Sequence, residues 1–232
     1  MKIQILKEII KKKSSKEKFA VLTNLINGNS EIFEFGKFLS KDFESSKKEI
    51  ENYHYLKKNG VIDGTQMFIQ NYIKPIEVII VGAVHISQYL VDLFKNLDFE
   101  VKIIDPRKYF ITTERFPNIE IINGWPDEIL KKLQTNSNNA LITLTHDPKI
   151  DDPALRHALK NKFFYIGALG SKKTHIKRCQ RLRETGFSEE EISSIHGPIG
   201  IKLGGKSTPE IALSIVAQLV SKTNKLLLNS KD

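Results

Sequence analysis

Four short segments concentrate the residues able to bind or catalyse, and each follows an apolar run of strand length. They are Gly82-Ala83-Val84-His85, Asp105-Pro106-Arg107, His146-Asp147-Pro148 and Gly167-Ala168-Leu169-Gly170-Ser171-Lys172-Lys173. Gly82 permits a tight turn into a helix, whose first N–H groups and positive dipole end suit an anion. Asp105 stands 23 residues after Gly82, where an acidic side chain can accept hydrogen bonds from a ribose or similar diol. The alternative is a turn aspartate before Pro106. Val84 and Ser87 stand where a dinucleotide fingerprint has glycine. Gly170-Ser171-Lys172-Lys173 offers a flexible turn, a hydroxyl and two cations, the ingredients for holding phosphate; against this, Ser171 can be a plain helix cap beside solvated lysines.

The expected cofactor-binding set is Gly82, Ala83, His85, Asp105, Arg107, His146, Gly170, Ser171, Lys172, Lys173 and Gly197. His146, Asp147 and His196 are the candidates for acid–base work. His85, His146, His175 and His196 lie in or beside these turns, but their spacing matches no zinc motif, and no metal site is expected.

These turns need a scaffold that brings them to one edge. From Ile76 onward, apolar runs alternate with segments of helical period, the pattern of a parallel sheet covered on both faces. Strands are predicted over 77–81, 101–104, 119–122, 140–145 and 163–166. Ile86, Leu90, Leu93, Phe94 and Leu97 form a helical stripe, and Asp152-Pro153 reads as the start of a later helix. Ser188 with Glu191 makes a capping box, and Thr208-Pro209 opens a last helix. The predicted fold is therefore α/β, a doubly wound Rossmann-like parallel sheet over 76–222, whose ligand lies outside the carboxyl ends of the strands.

Residues 1–75 read as a smaller α+β region: an amphipathic helix to Lys13, a hairpin turning at Asn27-Gly28, a helix over 44–58 and a strand over 65–73. Residues 223–232 read as a frayed tail.

Lys and Arg number 36 against 27 Asp and Glu, giving a net charge of +9. The lysines are mixed with acids and lack aromatic interleaving, so a solvated basic surface is expected rather than a nucleic-acid face. Cys179 is the single cysteine, which excludes an internal disulfide and fits a cytoplasmic protein; no apolar run is long enough to span a membrane. Gly200 to Ser207 matches the P-loop letter pattern, but no buried strand precedes it and Pro209 follows at once. It is set aside.

Long motifs then carry a resemblance: Val81-Gly82-Ala83-Val84-His85-Ile86, Ile104-Asp105-Pro106-Arg107, Glu114-Arg115-Phe116-Pro117, Gly124-Trp125-Pro126-Asp127, Leu144-Thr145-His146-Asp147-Pro148-Lys149, Tyr165-Ile166-Gly167-Ala168-Leu169-Gly170-Ser171, Ile195-His196-Gly197-Pro198-Ile199-Gly200 and Thr208-Pro209-Glu210-Ile211-Ala212. Here the chain resembles the Rossmann domain of the XdhC/CoxI family, its CoxI-like branch. The resemblance implies an accessory factor for maturation of molybdenum hydroxylases of the xanthine and carbon monoxide dehydrogenase type, one that binds molybdenum cofactor and aids its sulfuration or insertion. The implied partners are the apo-hydroxylase and a cysteine desulfurase or second accessory subunit, with a homodimer expected by class.

Family members carry a Gly-rich, cysteine-containing N-terminal segment; residues 1–75 have neither that segment nor a cysteine. The competing expectation is an oxidoreductase using NAD(P), with His146 or His196 as proton donor.

Overall fold

Val78, Ile79, Ile80 and Val81 are all fully buried, as a central strand covered on both faces demands, and they stand near the start of the larger of two units. The computed structural model describes residues 3–15, 18–72, 76–135 and 138–229, the last five by backbone alone. The predicted end of the 65–73 strand and the boundary at residue 75 lie outside the described residues. The chain divides into two units, Pro75–Asn224 and the remainder, Met1–Lys74 with Lys225–Asp232.

In the first 72 residues, helix α1 (Ile3–Ser14) precedes a four-stranded antiparallel sheet of order β2-β1-β4-β3, formed by β1 (Phe19–Asn24), β2 (Ser30–Phe33), β3 (Gly60–Val61) and β4 (Met67–Tyr72). Helices α2 (Lys41–Glu44) and α3 (Lys47–Tyr55) lie between β2 and β3 in sequence. Phe43, Ile50 and Tyr53 from these helices pack with Ala20, Leu22 and Ile69 of the sheet.

The larger unit holds a parallel sheet of order β10-β9-β8-β5-β6-β7. Its strands are β5 (Glu77–Val81), β6 (Glu100–Asp105), β7 (Glu120–Asn123), β8 (Asn139–Thr143), β9 (Tyr165–Ala168) and β10 (Ile195–His196). Read from β7, this is the 3-2-1-4-5-6 order of the Rossmann fold, with the topological switch between β5 and β8.

Alternate residues of each strand point to opposite faces. Val78, Ile80, Ile103 and Ile142 meet α4 (His85–Lys95) and α9 (Thr208–Asn229). Ile79, Val81, Ile104 and Leu141 meet α5 (Pro126–Lys132) and α6 (Pro148–Lys160), a layer completed by α7 (Lys172–Glu184) and α8 (Glu189–Ser193). At the amino edge of the sheet, Asn139 Nδ2 donates to Glu77 at 2.6 Å, and Lys102 bridges Glu77 and Glu120 at 3.0 and 3.1 Å. Polar pairing at that edge is thus spent on register.

Three sequence expectations are revised. Helix α6 starts at Pro148, not at Asp152-Pro153: Asp147 is the cap, and proline at the first position loses an N–H that has no helical partner anyway. Strand β10 is added; its two residues pair Ile195 with Ile166 and His196 with Gly167, too short a run to show periodicity. Helix α9 runs past residue 222 to Asn229, because neither glycine nor proline interrupts it after Pro209.

Candidate functional site

Gly82 leaves β5 at φ +114°, and its N–H donates to Ile104 O at 2.9 Å. A Cβ added there would sit 2.7 Å from Thr145 Cγ2, so glycine is needed both for the dihedral and for contact between the β5 and β8 turns. Gly82→Ala is expected to destabilise the protein by about 2–3 kcal/mol, lowering Tm by about 4–12 °C; an unchanged melting curve would contradict this packing.

Beside this turn Asp105, fully buried, is already satisfied. Its Oδ2 accepts from Ala83 N at 2.7 Å and Arg107 Nη2 at 2.8 Å, and its Oδ1 from Arg107 N and Nε, both at 2.9 Å. Burial alone would raise the carboxyl pKa, but the Arg107 guanidinium and the two backbone N–H groups outweigh it and hold the group below its ordinary value. The Arg107 guanidinium also lies 4.4 Å from the Phe110 ring centre, and Arg115 donates to Ala83 O at 2.8 Å and to Phe110 O. Gly82, Ala83, Asp105 and Arg107 therefore form a closed knot. Both carboxylate oxygens that could meet a ribose are occupied within the chain. His85, exposed at the start of α4, packs edge-on against Tyr89.

The β8–α6 turn is different. His146 adopts φ +62° and is exposed. Asp147 caps α6, its Oδ1 accepting from Lys149 N at 2.9 Å, which gives this acid–base candidate a structural task. One turn on, Asp151 is 2% exposed. Its Oδ1 accepts from Thr145 Oγ1 at 2.7 Å, while its Oδ2 has no partner. Burial pushes the Asp151 pKa up, against the lowering effect of the Thr145 bonds.

From the β9–α7 turn, Ser171 Oγ accepts from Thr174 N at 3.1 Å, capping α7. Lys172 and Lys173 are exposed. Arg178, two turns in, is 2% exposed; its Nη2 donates to Leu169 O at 2.9 Å, and its Nε and Nη1 have no partner. Burial draws its pKa below the usual arginine value, yet arginine remains charged.

These two turns enclose a cleft of ≈ 200 Å³ whose charged lining is Lys173, Lys177, Arg178 and Arg181 against Asp151 and Asp152. Asp152 is neutralised by Arg181 through contacts of 2.5 and 3.0 Å. Excess positive charge in a concave space favours an anion.

Of the sequence-predicted residues, His146 and Lys173 line this cleft; Gly170, Ser171 and Lys172 belong to the turn beside it without lining it. His196 stacks on Tyr165 with ring centres 5.0 Å apart, and burial lowers its pKa. Gly197 is pressed against His175, whose Nδ1 would lie 2.0 Å from an added Cβ. Asp151, Lys177, Arg178 and Arg181 were not singled out by the sequence reading, though α7 carries a signal: its phase places Arg178 inward with Leu182 and leaves Ile176 68% exposed. The Walker-like stretch precedes α9 as irregular chain, with Ser207 Oγ donating to Glu210 at 2.5 Å. Among the described residues no three His, Cys, Asp or Glu side chains are grouped to hold a metal ion.

A family model described as the XdhC Rossmann domain matches residues 78–219. The chain belongs to the XdhC family. Over 88 residues it is 41% identical to the molybdenum cofactor insertion chaperone PaoD of Escherichia coli (strain K12), covering 38% of this chain and 28% of that protein. Over 163 residues it is 28% identical to a probable xanthine dehydrogenase subunit of Bacillus subtilis (strain 168), covering 70% of this chain and 47% of that one. The chain thus spans less than half the length of these curated relatives.

Among solved structures it is similar to a protein described as a xanthine dehydrogenase from Bacillus halodurans, with TM-score 0.71, 25% identity, and coverage of 98% of this chain and 68% of that one. The Rossmann sheet and its turns are therefore those of the XdhC family, and no helix among the described residues is long and apolar enough to cross a membrane.

Proposed function

We propose that this XdhC-family protein is an accessory factor for molybdenum hydroxylase maturation, receiving molybdenum cofactor as cargo and aiding its sulfuration or insertion. The observation that carries the reading is the cationic cleft between α6 and α7, with the buried, partly unbonded guanidinium of Arg178 at its base. Its charge suits the anionic phosphate of a pterin cofactor, and the relatives named for cofactor insertion and for xanthine dehydrogenase supply the biological context. Lys173, Lys177 and Arg178 hold the anion; the exposed face around it is open to an apo-hydroxylase. A cysteine desulfurase or second accessory subunit supplies sulfur chemistry, because the lone thiol, Cys179, is part-buried and raised in pKa by that burial. A homodimer is the expected assembly, and the cytoplasm the expected compartment.

An NAD(P) oxidoreductase is not favoured. The Ala83 N–H that would face a pyrophosphate is spent on Asp105, and Asp105 has no oxygen left for a ribose.

Co-purification tests the proposal. The protein is isolated from cells making molybdenum cofactor, and released pterin, molybdenum and nucleotide are assayed together. Stoichiometric pterin is expected; nicotinamide nucleotide without pterin would overturn it. Joint Lys173→Ala and Lys177→Ala substitution should weaken cofactor binding about ten- to a hundredfold, at about 0.7–1.4 kcal/mol for each of the two exposed cations. Lys95→Ala, exposed at the far end of α4, should leave it unchanged.

A further inference from the structure

Two oppositely charged side chains at the base of the cleft are buried with hydrogen-bonding capacity unused. Asp151 Oδ2 and Arg178 Nε and Nη1 all lack partners. The two residues feel each other's charge, yet no hydrogen bond joins them. Each is anchored separately, Asp151 by Thr145 at 2.7 Å and Arg178 by Leu169 O at 2.9 Å. Leaving buried donors and an acceptor unpaired is costly, and a ligand that answers both removes the cost. It must accept from a guanidinium and, on the same group, donate to a carboxylate.

We propose that this pair recognises a phosphate monoester in its singly protonated form: its oxygens accept from the free N–H groups of Arg178, and its P–OH donates to Asp151 Oδ2. No bond is made or broken, and the proton arrives with the ligand. The inference rests on the cofactor-cargo reading and narrows it to the terminal monoester phosphate, since each phosphorus in the internal diphosphate of a dinucleotide carries one ester and one anhydride link and has no hydroxyl to donate near neutral pH.

Chemistry and size point the same way. A monoester loses its second proton near pH about 6, so the protonated form is available to bind. Sulfate or a diester would set only lone pairs against the Asp151 carboxylate. The cleft, at ≈ 200 Å³, is smaller than the roughly 300–1,000 Å³ of sites that enclose a whole small molecule, so it takes an end group. Lys173 and Lys177 then neutralise the remaining charge from the α7 side.

The test is calorimetric titration of the full chain at pH 6.5 with inorganic phosphate and, separately, with sulfate at matched ionic strength. Phosphate is expected to bind at least about tenfold more tightly, the difference one well-placed hydrogen bond makes. Asp151→Asn, which keeps an acceptor for Thr145 and presents an N–H₂ to the ligand, should abolish or reverse the preference. Equal affinity for the two anions in the native protein overturns the proposal, as does a phosphate preference that survives in the variant. Should the variant not fold, the native comparison decides alone. Failure to bind either anion by protein that still co-purifies with pterin overturns the subsite and leaves the cargo reading standing. Selective phosphate binding by protein that never carries pterin supports the subsite and overturns the cargo reading.

Discussion

Arg178→Met should reduce cofactor binding by at least about a hundredfold while leaving Tm within about 4 °C of the parent, or raising it. The two halves of this expectation have one cause. Arg178 is 2% exposed, and two of its three guanidinium nitrogens have no partner in the chain. A buried charge used for folding is paired on all sides, and removing it costs several kcal/mol; one that is under-paired burdens the fold, and an apolar side chain of similar length replaces it at little or no cost. The one bond lost, to Leu169 O at 2.9 Å, is worth about 1 kcal/mol, about 2–4 °C in Tm for a chain of this size. Binding loses two charge-assisted contacts, hence the hundredfold. Calorimetric melting with cofactor titration on one preparation checks both halves. A Tm fall beyond about 10 °C with binding intact would make Arg178 a structural residue.

Much of the scaffold was legible because it is written locally. The 77–81 run is apolar and β-branched from Val78 to Val81 and so reads as a buried strand, and the following Gly82 reads as a turn; the structure places both there. The boundaries of the strands predicted over 140–145 and 163–166 moved by one or two residues, to Asn139–Thr143 and Tyr165–Ala168, as hydrogen bonding rather than composition sets strand ends. β10 escaped because two residues carry no period.

The site was harder to read, since it depends on which side of a helix a residue faces and on which groups find partners elsewhere. Lys172 and Lys173 are equivalent as letters, but one residue of helix is a rotation of about 100°, and only Lys173 lines the cleft. Asp105 looked available to a ligand because its neighbour two residues on, Arg107, gives no sign in sequence of folding back over it. The sequence puts a helix start at Asp152-Pro153, whereas the true start at Pro148 carries Asp151 inside, one turn down, to face Arg178 across the cleft. Two aspartates thus end in opposite states: Asp105 with every oxygen bonded, Asp151 with one oxygen open. That difference, invisible in composition, separates the part of the carboxyl edge that holds the fold from the part proposed to hold a ligand.

The corresponding change at Asp105 should strike the fold itself. Asp105→Ala removes the acceptor for Ala83 N, Arg107 N and both forks of the Arg107 guanidinium, leaving a fully buried N–H at Ala83 without a partner. Breaking a buried, hydrogen-bonded ion pair costs about 3–5 kcal/mol. Because the Arg107 side chain is 34% exposed and can turn to water, the lower end applies, about 3 kcal/mol, or about 6–12 °C in Tm. The pH dependence has a fixed sign. Asp105 has a folded-state pKa below its unfolded one, so its ionic contribution is complete above the unfolded value of about 3.9 and is lost as pH falls through the folded value. The gap in stability between parent and variant should therefore be constant from neutral pH down to about pH 5 and narrow below about pH 4. A gap that instead opened on acidification would mean that burial outweighs Arg107 and raises the folded-state pKa of Asp105.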